Sequence, residues 1–187
     1  MIKHQRITLR HVTEADLPAM IKAAGDPLAN GAYNPCRLVS PHAVQKRFHD
    51  NGFSSDEHEA FLVCDESGAV IGDVMHFPAK RYTTAREVGW RIHDPAHRNR
   101  GYATEAVTAL VDYLFKSYPM NRIECNTSTE NHASIRMAQK CGFVREGVLR
   151  GLVFVGGVYL DDVVLSILRA EWEAKKSVAT TPSLSGA

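Results

Sequence analysis

The sequence predicts an α/β domain in which one mixed sheet carries helices packed against it. Three observations lead there. Apolar residues recur at helical spacing in some segments and alternate in others. Turn signals join consecutive strands as hairpins. Those hairpins are interleaved with helices in an order that a fully parallel, doubly wound sheet would not give. The 187 residues fit one domain, and 44% hydrophobic with 23% charged residues supplies a sizeable core.

The elements follow in order. Arg6–Val12 alternates and reads as a strand. Thr13, with Asp16 three residues on, marks a helix start, and Leu17, Met20, Ile21 and Ala24 give that helix an apolar face. Residues 25–39 are rich in Gly, Pro and Asn and read as a loop. Ser40-Pro41 is an N-cap and first-turn pair for a helix ending near Gly52. Glu59–Cys64 and Val70–Phe77 form a hairpin, and after a polar loop around 81–85, Arg86–His93 adds a strand. A helix begins at about residue 101, with Ala103, Ala106, Val107, Leu110, Val111, Leu114 and Phe115 on one face, and Pro119 ends it. Arg122–Thr127 is a strand, and His132–Cys141 is a helix closed by Gly142. Val148–Val155 and Tyr159–Leu168 make a last hairpin around Gly156-Gly157. Residues 1–173 form the domain, and 174–187 read as a disordered tail.

Bulk properties exclude several classes. A net charge of +1 implies no nucleic-acid partner. No long apolar run or leading apolar segment is present, so a cytoplasmic protein with no membrane partner is expected. Cys36, Cys64, Cys125 and Cys141 are scattered, which suits reduced thiols. His93 and His97 are separated by Pro95 and do not share a helix face, so no metal site is expected.

The stretch 97–106, HRNRGYATEA, brings arginines and a glycine to a helix start. A helix N-terminus has unpaired N–H groups and partial positive charge, and glycine admits a ligand close to the backbone. With Arg98 and Arg100 this describes a cradle for a phosphate or pyrophosphate. The alternative is a charged loop that merely caps an amphipathic helix. Neither GK[ST] nor GxGxxG is present, so two familiar nucleotide motifs are absent and nucleotide binding ranks last.

Arg98-Asn99-Arg100-Gly101-Tyr102-Ala103 resembles the [Q/R]-x-x-G-x-[G/A] signature of the GNAT superfamily of acetyltransferases. GWRIHDPAHRNRGYATEA and ENHASIRMAQKCGF resemble two blocks of its RimJ/RimL-like branch, and the likeness spans about residues 5–170. The resemblance implies a mostly antiparallel central sheet flanked by helices, with a V-shaped splay between its two central strands. It implies acetyl-CoA as co-substrate and no metal. The pyrophosphate would be held by Arg98, Asn99, Arg100, Gly101, Tyr102, Ala103 and Thr104, and the pantetheine by the backbone of Arg91, Ile92 and His93 and by Asn131. Asn131 is equally readable as a helix N-cap.

The implied reaction is direct attack of a primary amine, a protein N-terminus or a small molecule, on the thioester. Ser134 matches the proton donor to the thiolate, although a first-turn helix serine is the plain alternative. Glu87 matches the base of histone-acetylating relatives, or is a strand carboxylate reaching a neighbouring loop. Other relatives place a glutamate where this chain has Asn126 or Val153; Asp161 and Asp162 remain in reserve, and Glu105 reads as a helix-start charge. Tyr33, Asn34, Phe154 and Tyr159 are candidate acceptor-site walls, with core packing the default for the aromatics. A homodimer fits the resemblance. A non-catalytic acyl-CoA-binding protein on the same fold is the alternative function.

Overall fold

A computed structural model describes residues 1–26, 31–35, 38–80 and 83–180. Cys36, parts of the loops at 25–39 and 81–85, and residues 181–187 lie outside the described residues. The strands are β1 (Ile2–His4), β2 (Ile7–Arg10), β3 (Ser54–Ser55), β4 (His58–Cys64), β5 (Val70–Pro78), β6 (Arg86–Ile92), β7 (Arg122–Ser128), β8 (Val144–Val155) and β9 (Val158–Leu168). The helices are α1 (Leu17–Ala24), α2 (Pro41–Asn51), α3 (Tyr102–Ser117), α4 (His132–Cys141) and α5 (Arg169–Thr180). Ser40 Oγ accepts the Ala43 N–H to start α2. Gly142, at φ 102°, closes α4 in the left-handed region.

The main path of the sheet runs β1-β2-β4-β5-β6-β7-β9-β8, with β3 paired to β4. Every described pairing is antiparallel except β6 with β7. That parallel pair is joined only at Arg86↔Ile123 and Glu87↔Glu124. Beyond Glu87 the two central strands diverge, which is the expected V-shaped splay.

Alternation gives the sheet two unlike faces. One presents Phe61, Val63, Val74, Val88, Ile123, Cys125, Val163 and Leu165 to Ala106, Val107, Leu110 and Leu114 of α3, the main core. The other carries a smaller cluster in which Leu62 meets Val12, Leu17, Val44 and Phe53 beside α1 and α2. From β6 to β9 this second face turns polar: the register places Glu87, Gly89 and Arg91 beside Glu124, Asn126, Ser128, Asp162 and Ser166.

Two expectations are corrected. The chain stays helical past 173, because α5 is tied to α3: Trp172 packs on Phe115 at 5.3 Å and its Nε1 donates to Asp112 Oδ1 at 2.7 Å. Arg169 donates to the carbonyls of Phe115, Tyr118 and Met120 around the end of α3. Phe154 and Tyr159 are not core residues; they lean on each other at 5.1 Å on the last hairpin and stay 54% and 70% exposed. Hairpin β8–β9 projects past the helices that would cover it.

Candidate active site

β6 and β7 are parallel, so their C-terminal ends open the same mouth of the splay, and α3 and α4 begin just beyond it. The cradle loop is built by backbone. Asp94 Oδ1 accepts the Ala96 N–H and starts a single 3-10 turn at Pro95–His97. Asn99 at φ 60° and Gly101 at φ 89° then reverse the chain. A side chain at 101 would be strained at that φ, and its Cβ would lie 3.1 Å from Arg6 Nη2. No side chain caps α3, and its first backbone bond runs from Glu105 N–H to Gly101 O at 3.1 Å. The N–H groups of Tyr102, Ala103 and Thr104 therefore face the mouth without helical partners.

The loop is anchored from behind. Arg6 Nε donates to Glu105 Oε1 at 2.9 Å and its Nη2 to Arg100 O at 2.9 Å, while Glu105 is 8% exposed. Glu105 is thus an anchor as well as a helix-start charge. Tyr102, buried, lies beneath the guanidinium groups of Arg6 (4.9 Å) and Arg100 (5.7 Å). Arg98 turns inward: Nε donates to Ile92 O and Nη2 to His93 O, each at 3.3 Å. Its side chain fastens loop to strand.

At the top of β6, Asp73 Oδ1 accepts from Arg91 Nη2 at 2.8 Å and lies 2.7 Å from His93 Nε2. Burial alone would raise the Asp73 pKa, but His93 and Arg91 outweigh it and hold the carboxyl low. The His93 N–H is spent on Ile71 O at 3.0 Å, which turns it away from the splay. Strand alternation then turns the N–H groups of Trp90 and Ile92 toward β7.

Deeper in the splay lies Glu87. Burial, and then the charges of Glu124 and Asp162, push its carboxyl up to about 7, against a hydrogen bond from Asn126 that pulls it down. Glu124 is 3% exposed and is matched by Arg122, whose Nη2 donates to it at 2.8 Å. Asp162 is buried and its pKa is raised by desolvation. Asp161 faces elsewhere and accepts the Gly151 N–H at 2.8 Å in the β8 bulge. Val153 pairs with Leu160 in the hairpin.

Across the mouth, Asn131 is the N-cap of α4: Oδ1 accepts the Ser134 N–H at 3.3 Å and Nδ2 donates to Thr127 Oγ1 at 3.0 Å. Ser134 sits half-buried in the first turn. Arg100 and the Arg91–Asp73 pair lie at the mouth beside the helix N-termini, and the carboxyls of Glu87, Glu124 and Asp162 lie deeper. Among the described residues no group of three or more His, Cys, Asp or Glu side chains could hold a metal. No described helix is long and apolar enough to cross a membrane.

Residues 6–144 match the family model of the acetyltransferase (GNAT) domain. The chain belongs to the GNAT acetyltransferase family. It is an N-acetyltransferase whose co-substrate is acetyl-CoA. This acetyltransferase is 36% identical over 123 residues to an uncharacterized N-acetyltransferase, YnaD, of Bacillus subtilis, covering 65% of the chain and 71% of the relative. It is 24% identical over 131 residues to the ribosomal protein uS5-alanine N-acetyltransferase of Escherichia coli, covering 70% and 62%. Its fold matches the structure of spermidine N-acetyltransferase from Vibrio cholerae in complex with CoA and spermine, with TM-score 0.79, 22% identity, and 90% and 99% coverage.

Sequence reasoning missed Asp73 and the placement of Asn126 on the same face as Glu87. Asp73 had a signal, a lone carboxylate inside the apolar run VIGDVMHF. Asn126 had none, because the two residues are 39 positions apart and meet only through the register of β6 and β7.

Proposed function

We propose that the enzyme acetylates a primary amine by direct attack in a ternary complex, with Glu87 as base and Ser134 as proton donor to the leaving thiolate. The observation that carries this is a carboxyl near pKa 7 in the floor of a splay whose mouth is an uncapped helix N-terminus. A base with a pKa near working pH is the most effective one. In this reading the backbone of Arg98 to Thr104 holds the pyrophosphate, and the Arg100 guanidinium adds charge. The fit rests on the free N–H groups of α3 and on Gly101, where a side chain would crowd Arg6. The N–H groups of Trp90 and Ile92 bond the pantetheine or polarise the thioester carbonyl. This shifts the backbone role away from His93 and retains Ile92; the Arg91 and His93 side chains are instead engaged with Asp73. Asn131 sets the angle of α4, and so of Ser134.

The ammonium gives one proton to Glu87. The neutral amine forms the N–C bond, the C–S bond breaks, and the thiolate takes the Ser134 hydroxyl proton. The second amine proton restores Ser134. The acceptor enters from the α1/α2 face, past Tyr33 and Asn34. An α-amine, with pKa about 7.7–8.0, asks less of the base than a lysine-like amine near 10.4. Both acceptor classes occur among the relatives, a ribosomal-protein alanine in one and spermidine in another.

The test is thiol release from acetyl-CoA with a panel of N-terminal peptides, polyamines, aminoglycosides and amino acids, run beside a CoA melting shift. Turnover on one class names the acceptor. A melting shift that Gly101→Asp fails to weaken would refute the cradle assignment.

A further inference from the structure

We propose that Asn126 is the positioning residue for Glu87, holding its carboxylate across the splay and serving both of its protonation states; this rests on Glu87 being the base. Asn126 stands on β7 two residues beyond Glu124, whose register partner is Glu87, so its side chain falls on the same face at the point where β6 and β7 part. It approaches Glu87 closely enough to favour the ionised carboxylate and pull its pKa down. Its Oδ1 is buried and has no hydrogen-bond partner among the described residues. A buried amide oxygen left unpaired is uncommon and calls for an explanation.

Glu87 supplies one. An ionised carboxylate only accepts hydrogen bonds, and a protonated one gains an O–H to donate. The unpaired Oδ1 belongs to the side chain that shares Glu87's face of the sheet where β6 and β7 part. A turn of the amide about Cβ–Cγ exchanges donor for acceptor. In this way one residue keeps the carboxyl aimed at the same place before and after it takes the amine's proton. The other charged groups facing Glu87 offer nothing similar: Glu124 of β7 is occupied by Arg122, and Asp162 of β9 repels its charge. Phe77 lies opposite on β5, and the Cys125 thiol points to the other face of β7.

The test needs no acceptor: an NMR titration of ¹³C-carboxyl-labelled glutamates in the full chain, with Glu87→Gln identifying the Glu87 resonance. Asn126→Leu removes both the amide donor and the amide acceptor. The bond to the charged form is the stronger, so the Glu87 midpoint should rise by about one pH unit. Asn126→Asp keeps the shape and adds a like charge, and should raise it further. It also guards against a leucine variant that folds poorly. A Glu87 midpoint unmoved in Asn126→Asp overturns the proposal while leaving Glu87 as base. With an acceptor in hand, a Glu87→Gln enzyme that retains the wild-type rate and acid limb overturns the base assignment itself, and the Asn126 role with it.

Discussion

At the scale of single residues, function and stability oppose each other at Glu87. A folded-state pKa near 7 against an ordinary value of 4.5 means the native state holds the extra proton. Stability is therefore greatest below the unfolded pKa and is lost as pH rises through about 7. Glu87→Gln should stabilise the chain at pH 8 by about 1–2 kcal/mol, after allowance for solvent screening of a side chain that is not fully buried, and lower the rate about 10²–10⁴-fold. Thermal melts and initial rates on one preparation check both. Glu59 has the reverse sign. Burial would raise its pKa, but hydrogen bonds with His76 (2.8 Å) and His11 (3.0 Å) bring it to about 2. That contribution is present above the usual glutamate value and fades as pH falls toward 2. Glu59→Gln should therefore flatten the acid-unfolding curve between about pH 4 and 2, measured by circular dichroism.

At the scale of elements, α3 is the piece that joins packing to ligand. Its apolar face fixes its axis against the sheet, and its N-terminus is left open at the mouth. Gly101→Ala would place a methyl group at φ 89°, at a cost of about 1–2 kcal/mol. It should weaken CoA binding, read by calorimetry, more than it lowers the melting temperature in the absence of CoA. Arg6→Ala should raise the KM for acetyl-CoA about tenfold with little change in kcat, because it frees Glu105 and the Arg100 carbonyl from their anchor. These elements were legible in the sequence because each had a local signal: Ser40-Pro41 for α2, the heptad-like face of α3, Gly142 for the end of α4. Strand β1 and the lower half of β8 were not. Neither alternates clearly, and each is an edge strand held only by the strand that follows it, β2 for β1 and β9 for β8. Nor could the inward turn of Arg98 be read, since only the folded strand brings the Ile92 and His93 carbonyls within its reach.

At the scale of the whole molecule, α5 and the β8–β9 hairpin are the outlying parts. Trp172→Ala should cost about 2–4 kcal/mol, since it removes the contact with Phe115 and leaves Asp112 without its indole donor. Urea melts measure it. α5 has no apolar stripe of its own; Trp172, Arg169 and the Lys176–Asp112 ion pair fasten it. The hairpin leaves Val148, Leu149, Leu152, Phe154, Val158 and Tyr159 exposed.

The sheet is sewn across its centre by two residue pairs, and beyond them β6 and β7 part. A molecule seated there does the work of a strand, so occupancy and cohesion are one equilibrium. At a hundredfold excess over its Kd, such a molecule adds about 2.7 kcal/mol to the folded state. A cell rich in acetyl-CoA would thus hold a sturdier population of this enzyme, and a starved one a population more open to proteolysis.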